Sequence, residues 1–354
     1  MSKKNRMYLA AAVLLGALVI ANELRKLSLQ EVMGEFLTIK WVWLVIAIVC
    51  MLLHWSLEAK ILQGLLHRET PRFSFKNAVR IPLIEHLFNA ITPFSTGGQP
   101  AQLLALSKSG IDPGVSGSVL LMKFVVYQVM IVLNFVACIL FGFSMLANDL
   151  KKLSYLVLFG FAINVIVVVS ILMLMYYYPL TNRIVGAVMS VIKKFVSAER
   201  FDTLSRTVFE KMINFHRESL YMRSQKKVMA RTFLLTFLQL VCYYIVPYFI
   251  LLSLGVEHHD VFQIVVLHAF IILVISLFPV PGGTGGAEYS FTLLFGSFIT
   301  ITSKLVVAIV LWRLVTHYTG ILLGLVAVAV KPDQSAALGE TPKAGNPRRI
   351  AEEI

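Results

Sequence analysis

Two basic side chains sit where long apolar runs should hold none. Lys123 lies within about 115–147 and Arg313 within about 305–330, stretches otherwise free of Lys, Arg, Asp and Glu. Each is about eight residues from the nearer end of its helix, which at a 1.5 Å rise puts it roughly 12 Å deep. A lone charge at such depth costs several kcal/mol, so ionisable residues there signal function. The plainer alternative is that each snorkels to the nearer surface. One turn on, Tyr127 and His317 share the faces of Lys123 and Arg313. Paired buried cations suit one chemistry above others, the holding of an anion such as phosphate.

The elements that must position these residues are broken ones. Pro93-x-x-Thr96-Gly97-Gly98 recurs as Pro281-x-x-Thr284-Gly285-Gly286, with an offset of 188 residues. Glycines let backbone N–H groups approach a ligand, and half-helix N-termini direct partial positive charge at anions. Ser95, Thr96 and Thr284 add hydroxyl donors, and Gly283 extends the second loop. The glycines of 282–286 do not form a nucleotide-binding P-loop, because no Lys-Ser/Thr pair follows them. Glu85 and Glu288 flank the two breakers. They can pair with Lys123 or Arg313, take a proton, or receive a cationic headgroup, and Glu288 also suits a helix N-terminal cap.

Composition makes the surroundings a bilayer. The chain has 354 residues, 58% hydrophobic and 14% charged, against roughly a quarter charged in a soluble domain. Its net charge of +13 would elsewhere suggest nucleic acid. With a cytoplasmic amino terminus, however, 24 of the 32 Lys and Arg residues fall in inner loops, as the positive-inside rule requires. No nucleic-acid partner is expected. Cys50, Cys138 and Cys242 are isolated within apolar segments and read as packing residues. His258 and His259 read as solvated loop residues, so no metal or other cofactor is expected.

Along the chain, Met7–Ala21 reads as an uncleaved first span and 23–40 as an interfacial helix. Trp41–Leu57 returns the chain to the inside, and 58–80 is a basic inner loop. Full crossing by 81–107 would turn the basic segment 179–231 outward. Residues 81–107 therefore enter and leave on one side, broken at Pro93–Pro100. Backbone of that kind survives at membrane depth only when buried in protein or lining a wet cavity. Spans follow at about 115–147 and 153–178, and the segment 179–231 carries amphipathic cytoplasmic helices. The second half has a span at 232–254, a broken segment 261–299, and a last span at 305–330. The expected fold is an all-α polytopic membrane protein with two inverted-repeat halves, about 7–178 and 232–330, each with a Gly/Pro-broken re-entrant hairpin. Residues 1–330 form the membrane domain, and 331–354 read as a disordered cytoplasmic tail.

Phe88-Asn89-Ala90-Ile91-Thr92-Pro93 with Thr96–Pro100, and Pro281–Glu288, resemble the lysylphosphatidylglycerol synthase transmembrane family, the membrane domain of the bacterial multiple peptide resistance factor. The similarity covers nearly all of 7–330. It implies a flippase for aminoacylated phosphatidylglycerol in the bacterial cytoplasmic membrane, where added surface charge repels cationic antimicrobial peptides. In that family a separate soluble domain transfers lysine. Only 24 residues follow Val330, too few for that domain.

The leading expectation is a membrane lipid translocase acting on an anionic or aminoacylated phospholipid, or a polyprenyl-phosphate lipid. The headgroup would meet Lys123, Arg313, Ser95, Thr96, Gly97, Gly98, Gly283, Thr284, Gly285 and Gly286, inside a cationic pocket. Glu85, Glu288, Tyr127 and His317 would couple transport or hold a headgroup amine. The alternatives are phosphatidylglycerol lysyltransferase activity, alone or with a separately encoded acyltransferase or glycosyltransferase, and a scaffold for a lipid enzyme. No nucleophile–base pair can be placed, so no catalytic residue is named.

Overall fold

The computed structural model describes residues 34–333, except 68–69, 150, 195–196, 198–200, 211–212, 214–223, 257–259, 276–279 and 297–298. The expected first span, most of the interfacial helix, the two loop histidines and the tail beyond Asp333 lie outside the described residues. Every regular element among those described is helical, and the chain is an all-α polytopic membrane protein. Four stretches are long and apolar enough to cross a bilayer: Trp41–Leu66, Pro113–Cys138, Lys226–Ser253 and Thr302–Ala329.

Helix α1 (Trp41–Leu66) runs more than two turns past the expected end at Leu57. The charged pair Glu58 and Lys60 does not stop it, because no Pro breaks the ladder before His67 and a lone Gly64 is tolerated within a helix. The next helix, α2 (Phe75–Ala90), is capped by Ser74, whose hydroxyl accepts from the Asn77 N–H at 3.2 Å. A 3₁₀ turn, Pro93–Ser95, leads into α3 (Gly98–Lys108). Bonds from Gly98 to Asn89 and from Gln102 to Glu85 align α2 and α3 as an antiparallel hairpin with its tip at 91–97. The long α4 (Pro113–Asp149), then α5 (Lys151–Tyr176) and α6 (Tyr178–Ile192), follow. On α6 the exposed Ile184, Val188 and Val191 recur at helical spacing, an amphipathic pattern.

Farther along the chain, α7 (Lys226–Tyr244) continues as α8 (Val246–Ser253) past a break at Ile245, where Pro247 removes a ladder donor. Helix α9 (Val261–Ile275), a 3₁₀ turn at Pro281–Gly283, and α10 (Gly286–Phe295) form a second hairpin. The last crossing is α11 (Thr302–Arg313), a π-helical turn at Leu314–Tyr318, and α12 (Thr319–Ala329). A π turn widens the helix, and such turns collect at functional sites.

The two hairpins approach from opposite ends of the bundle. The base of the first is tied to the end of α12, where Asp333 meets Ser74, Lys76 and Asn77. The second begins and ends near the opposite termini, where Lys304 reaches Leu254 and Lys40 reaches Ser253. Their tips, Pro93–Ser95 and Pro281–Gly283, touch. The first hairpin is held by α12 through Gly320 and Gly324. A Cβ on Gly324 would sit 2.6 Å from the Leu83 carbonyl oxygen, and one on Gly320 would sit 2.4 Å from the His86 ring. Small residues four apart permit such backbone contact between membrane helices.

Candidate functional site

The two broken loops share a left-handed residue pair as well as a sequence pattern, and they part at the threonine, which is αR at Thr96 and extended at Thr284. Phe94 and Ser95 have φ of 52° and 54°, and the residues 188 positions on, Gly282 and Gly283, have 64° and 61°. In both turns the threonine hydroxyl staples the loop closed. Thr96 donates to the Pro93 carbonyl and Thr284 to that of Pro281, each at 3.0 Å. Glycine tolerates this left-handed region freely, whereas Phe94 and Ser95 are strained there.

These loops do not present the expected row of free donors. The Gly97 N–H donates to Thr92 Oγ1 at 2.8 Å and the Gly98 N–H to Asn89 Oδ1 at 2.9 Å. The Gly283 N–H donates to the Val280 carbonyl, and the Gly285 N–H to Glu288 Oε2. Tight turns with buried amides satisfy themselves first. Thr96, Gly97, Gly98, Thr284 and Gly285 thus shape the tips, and Ser95 is the loop hydroxyl residue that faces the cavities.

The pocket is also not cationic, which corrects the expectation above. Lys123 Nζ lies 2.6 Å from Glu58 Oε1 and 2.9 Å from Glu85 Oε2. Arg313 Nε lies 2.6 Å from Glu288 Oε1, with both side chains 4% exposed. Three carboxylates therefore answer two cations. Amides hold the acids in place: Gln239 donates to Glu58, and Gln99 and Gln102 donate to Glu85. Glu58 is not among the residues the sequence singles out, because a second span ending at Leu57 places it in a loop.

Arg313 retains capacity for a further partner. Its Nη1 donates to the Gly282 carbonyl at 3.2 Å, while its buried Nη2 has no hydrogen-bond partner among the described residues. Trp312 beside it is fixed by a relay, its indole N–H donating to His268 Nε2 while His268 Nδ1 meets the Tyr244 carbonyl oxygen. His317 lies one turn on, against Gly282, where an added Cβ would come within 2.6 Å of its ring. The carbonyl oxygen of His317 meets His86 Nε2 at 3.2 Å.

Two cavities meet at this junction. One, of 420 Å³, is lined by Arg313, His317, Gly282, Gly283, Asn164 and Tyr243 among others. The second, of 330 Å³, is lined by Glu58, Glu85, Lys123, Gln99 and Gln239 among others. His86, Asn89, Phe94, Ser95 and Tyr127 line both. The structure thus brings Lys123, Glu85, Tyr127 and Ser95 to one chamber, and Arg313, His317 and Gly283 to its neighbour. Glu288 stands behind Arg313 as its counter-ion and as the cap of α10. Each volume falls in the range of small-molecule sites. Among the described residues, no group of three or more His, Cys, Asp or Glu is placed to hold a metal ion.

The chain is 26% identical over 301 residues to a UPF0104 membrane protein of Archaeoglobus fulgidus, covering 81% of this chain and 86% of that protein. The model of the lysylphosphatidylglycerol synthase transmembrane region matches residues 8–324. Because that match takes in most of the chain, the chain belongs to the lysylphosphatidylglycerol synthase transmembrane-region family.

Proposed function

We propose that this chain is a lipid translocase that passes a phospholipid headgroup between leaflets through the two joined chambers. The observation that carries the reading is the buried Nη2 of Arg313, beside the 420 Å³ cavity and without a hydrogen-bond partner among the described residues. A guanidinium nitrogen left without an acceptor in an apolar bundle costs free energy that a phosphate oxygen would recover. Arg313 takes the phosphate, with Ser95, Asn89 and Tyr127 offering polar contacts at the wall between chambers. Glu58 and Glu85 suit an ammonium on the same headgroup, because they outnumber their single lysine. An aminoacylated phospholipid such as lysylphosphatidylglycerol has both charges, and moving it outward would raise the positive charge of the cell surface. The acyl tails stay in lipid while the headgroup moves. On this reading both termini are cytoplasmic, as the distribution of Lys and Arg supports.

The test is headgroup translocation in vesicles reconstituted with the purified chain and fluorescent phosphatidylglycerol or its lysyl ester. The unaltered chain exposes inner-leaflet label faster than empty vesicles do. The double variant Glu288→Gln/Arg313→Gln removes the guanidinium without stranding a carboxylate, and loses most of that rate. Equal rates for the double variant and the unaltered chain would remove Arg313 from the mechanism.

A further inference from the structure

A third cavity lies apart from the site above. It has a volume of 330 Å³ and sits between the last turns of α1 and the first turns of α7. Lys60, Gly64 and His67 line one wall at helical spacing, with Arg231 and Thr232 on the other and Thr70 from the intervening loop. Lys60, His67 and Arg231 are all exposed. No carboxylate is among its described lining residues, and none of the three has an ion-pair partner among the described residues. Lys60 is steadied instead by the Phe75 ring, 4.8 Å from its ammonium. Gln63 Nε2 and the Phe73 carbonyl, 2.7 Å apart, fix the loop that closes the pocket.

The position of this cavity matters as much as its charge. Ile61, 2% exposed, lines both this pocket and the carboxylate chamber. One turn along α7 from Thr232, Thr236 lines that chamber too. The three cavities therefore follow one another from the end of the bundle to Arg313, separated first by Ile61 and then by the wall around Phe94.

We propose that the Lys60–His67–Arg231 pocket is a binding seat for a phosphate-bearing anion at the mouth of this route. Basic pockets between membrane helices at the bilayer surface select anionic headgroups, and two cations, Lys60 and Arg231, facing a cavity of headgroup size with no carboxylate among its described lining residues favour a phosphate. The source is either a membrane phospholipid headgroup or free phosphate. Only the place of the seat on a route rests on the translocase reading. A chain that moves no lipid removes the route and leaves the binding test standing.

Native mass spectrometry of the full chain, titrated with phosphatidylglycerol, tests the seat. The unaltered chain retains a tightly held lipid or phosphate, and Lys60→Gln/His67→Gln/Arg231→Gln weakens it by about tenfold or more. Gly64→Leu gives an independent check, since nothing lies within 4 Å of an added Cβ there. It fills the cavity with the charges intact and weakens binding likewise. Millimolar inorganic phosphate that displaces the bound species identifies free phosphate as the source, and indifference to it identifies the lipid. The seat is refuted if the charge and filling variants both bind as the unaltered chain does.

Discussion

Arg313 gives its Nε to Glu288, 2.6 Å away, while its buried Nη2 has no hydrogen-bond partner among the described residues. The pair spans two elements, α10 after the second broken loop and α11 before the π turn, so it locks the tip of one hairpin to the last crossing. Removing either partner strands a buried charge. Glu288→Gln and Arg313→Gln should each lower stability by about 3–5 kcal/mol. The double variant should cost clearly less than the sum. Thermal unfolding of the purified chain in detergent measures all three, and additive losses would show that the two side chains do not act as a pair.

Lys123 poses an asymmetric case, with two carboxylates on one ammonium. Lys123→Met leaves Glu58 and Glu85 facing each other in a protein interior, a loss of about 3–5 kcal/mol. Glu85→Gln leaves a one-to-one pair and keeps a hydrogen-bonding side chain, so it should cost under about 2 kcal/mol. The same unfolding assay ranks them. A Glu85→Gln variant less stable than Lys123→Met would mean that the acid pair, not the lysine, organises the chamber.

Much of this site was legible in the sequence. Lys123 and Arg313 stood out because hydropathy makes an intramembrane cation conspicuous, and the repeated Pro-x-x-Thr-Gly-Gly marked the tips. What stayed hidden were the partners. Glu58 lies 65 residues before Lys123, and only the folded bundle brings them to 2.6 Å. The uncharged run ends at Leu57, yet helix geometry carries α1 on to Leu66, and that difference turned a balanced pocket into an expected cationic one. Thr92 and Asn89 take up the Gly97 and Gly98 N–H groups, a choice that local pattern does not announce. One signal was available, the Gly320-Ile-Leu-Leu-Gly324 spacing that docks α12 on α2.

Phe94 occupies a backbone conformation that its counterpart Gly282 adopts without strain. The residue is 61% exposed, so truncation costs little burial. Phe94→Ala removes the ring and keeps the strain, whereas Phe94→Gly removes both. The left-handed penalty is about 1–2 kcal/mol, offset in part by the greater freedom of glycine when unfolded. The glycine variant should therefore match or exceed the alanine variant in stability. An alanine variant clearly the more stable would place Phe94 outside the left-handed region in solution. Because Phe94 lines both chambers, headgroup translocation by the pair also reports whether its ring gates the passage.

Asp333, just past α12, clasps the start of the first hairpin. Its carboxylate reaches Lys76 at 2.9 Å and Ser74 at 3.2 Å, and its backbone exchanges two bonds with the Asn77 side chain. The hydrogen bond from Lys76 holds the Asp333 carboxyl below its ordinary value of 3.8. A carboxylate depressed in the folded state contributes stability above its unfolded pKa and loses it as pH falls through the folded one. The clasp is therefore intact at neutral pH and opens only below about pH 4. Hydrogen exchange over 74–80 checks this against Asp333→Asn, which keeps the backbone bonds and lacks the charge. The variant should exchange faster at pH 7, and the gap should close once the pH drops well below 3.8. Equal exchange by the two proteins at pH 7 would mean that the Asn77 bonds alone hold this end of α12, and that the charge of Asp333 contributes nothing.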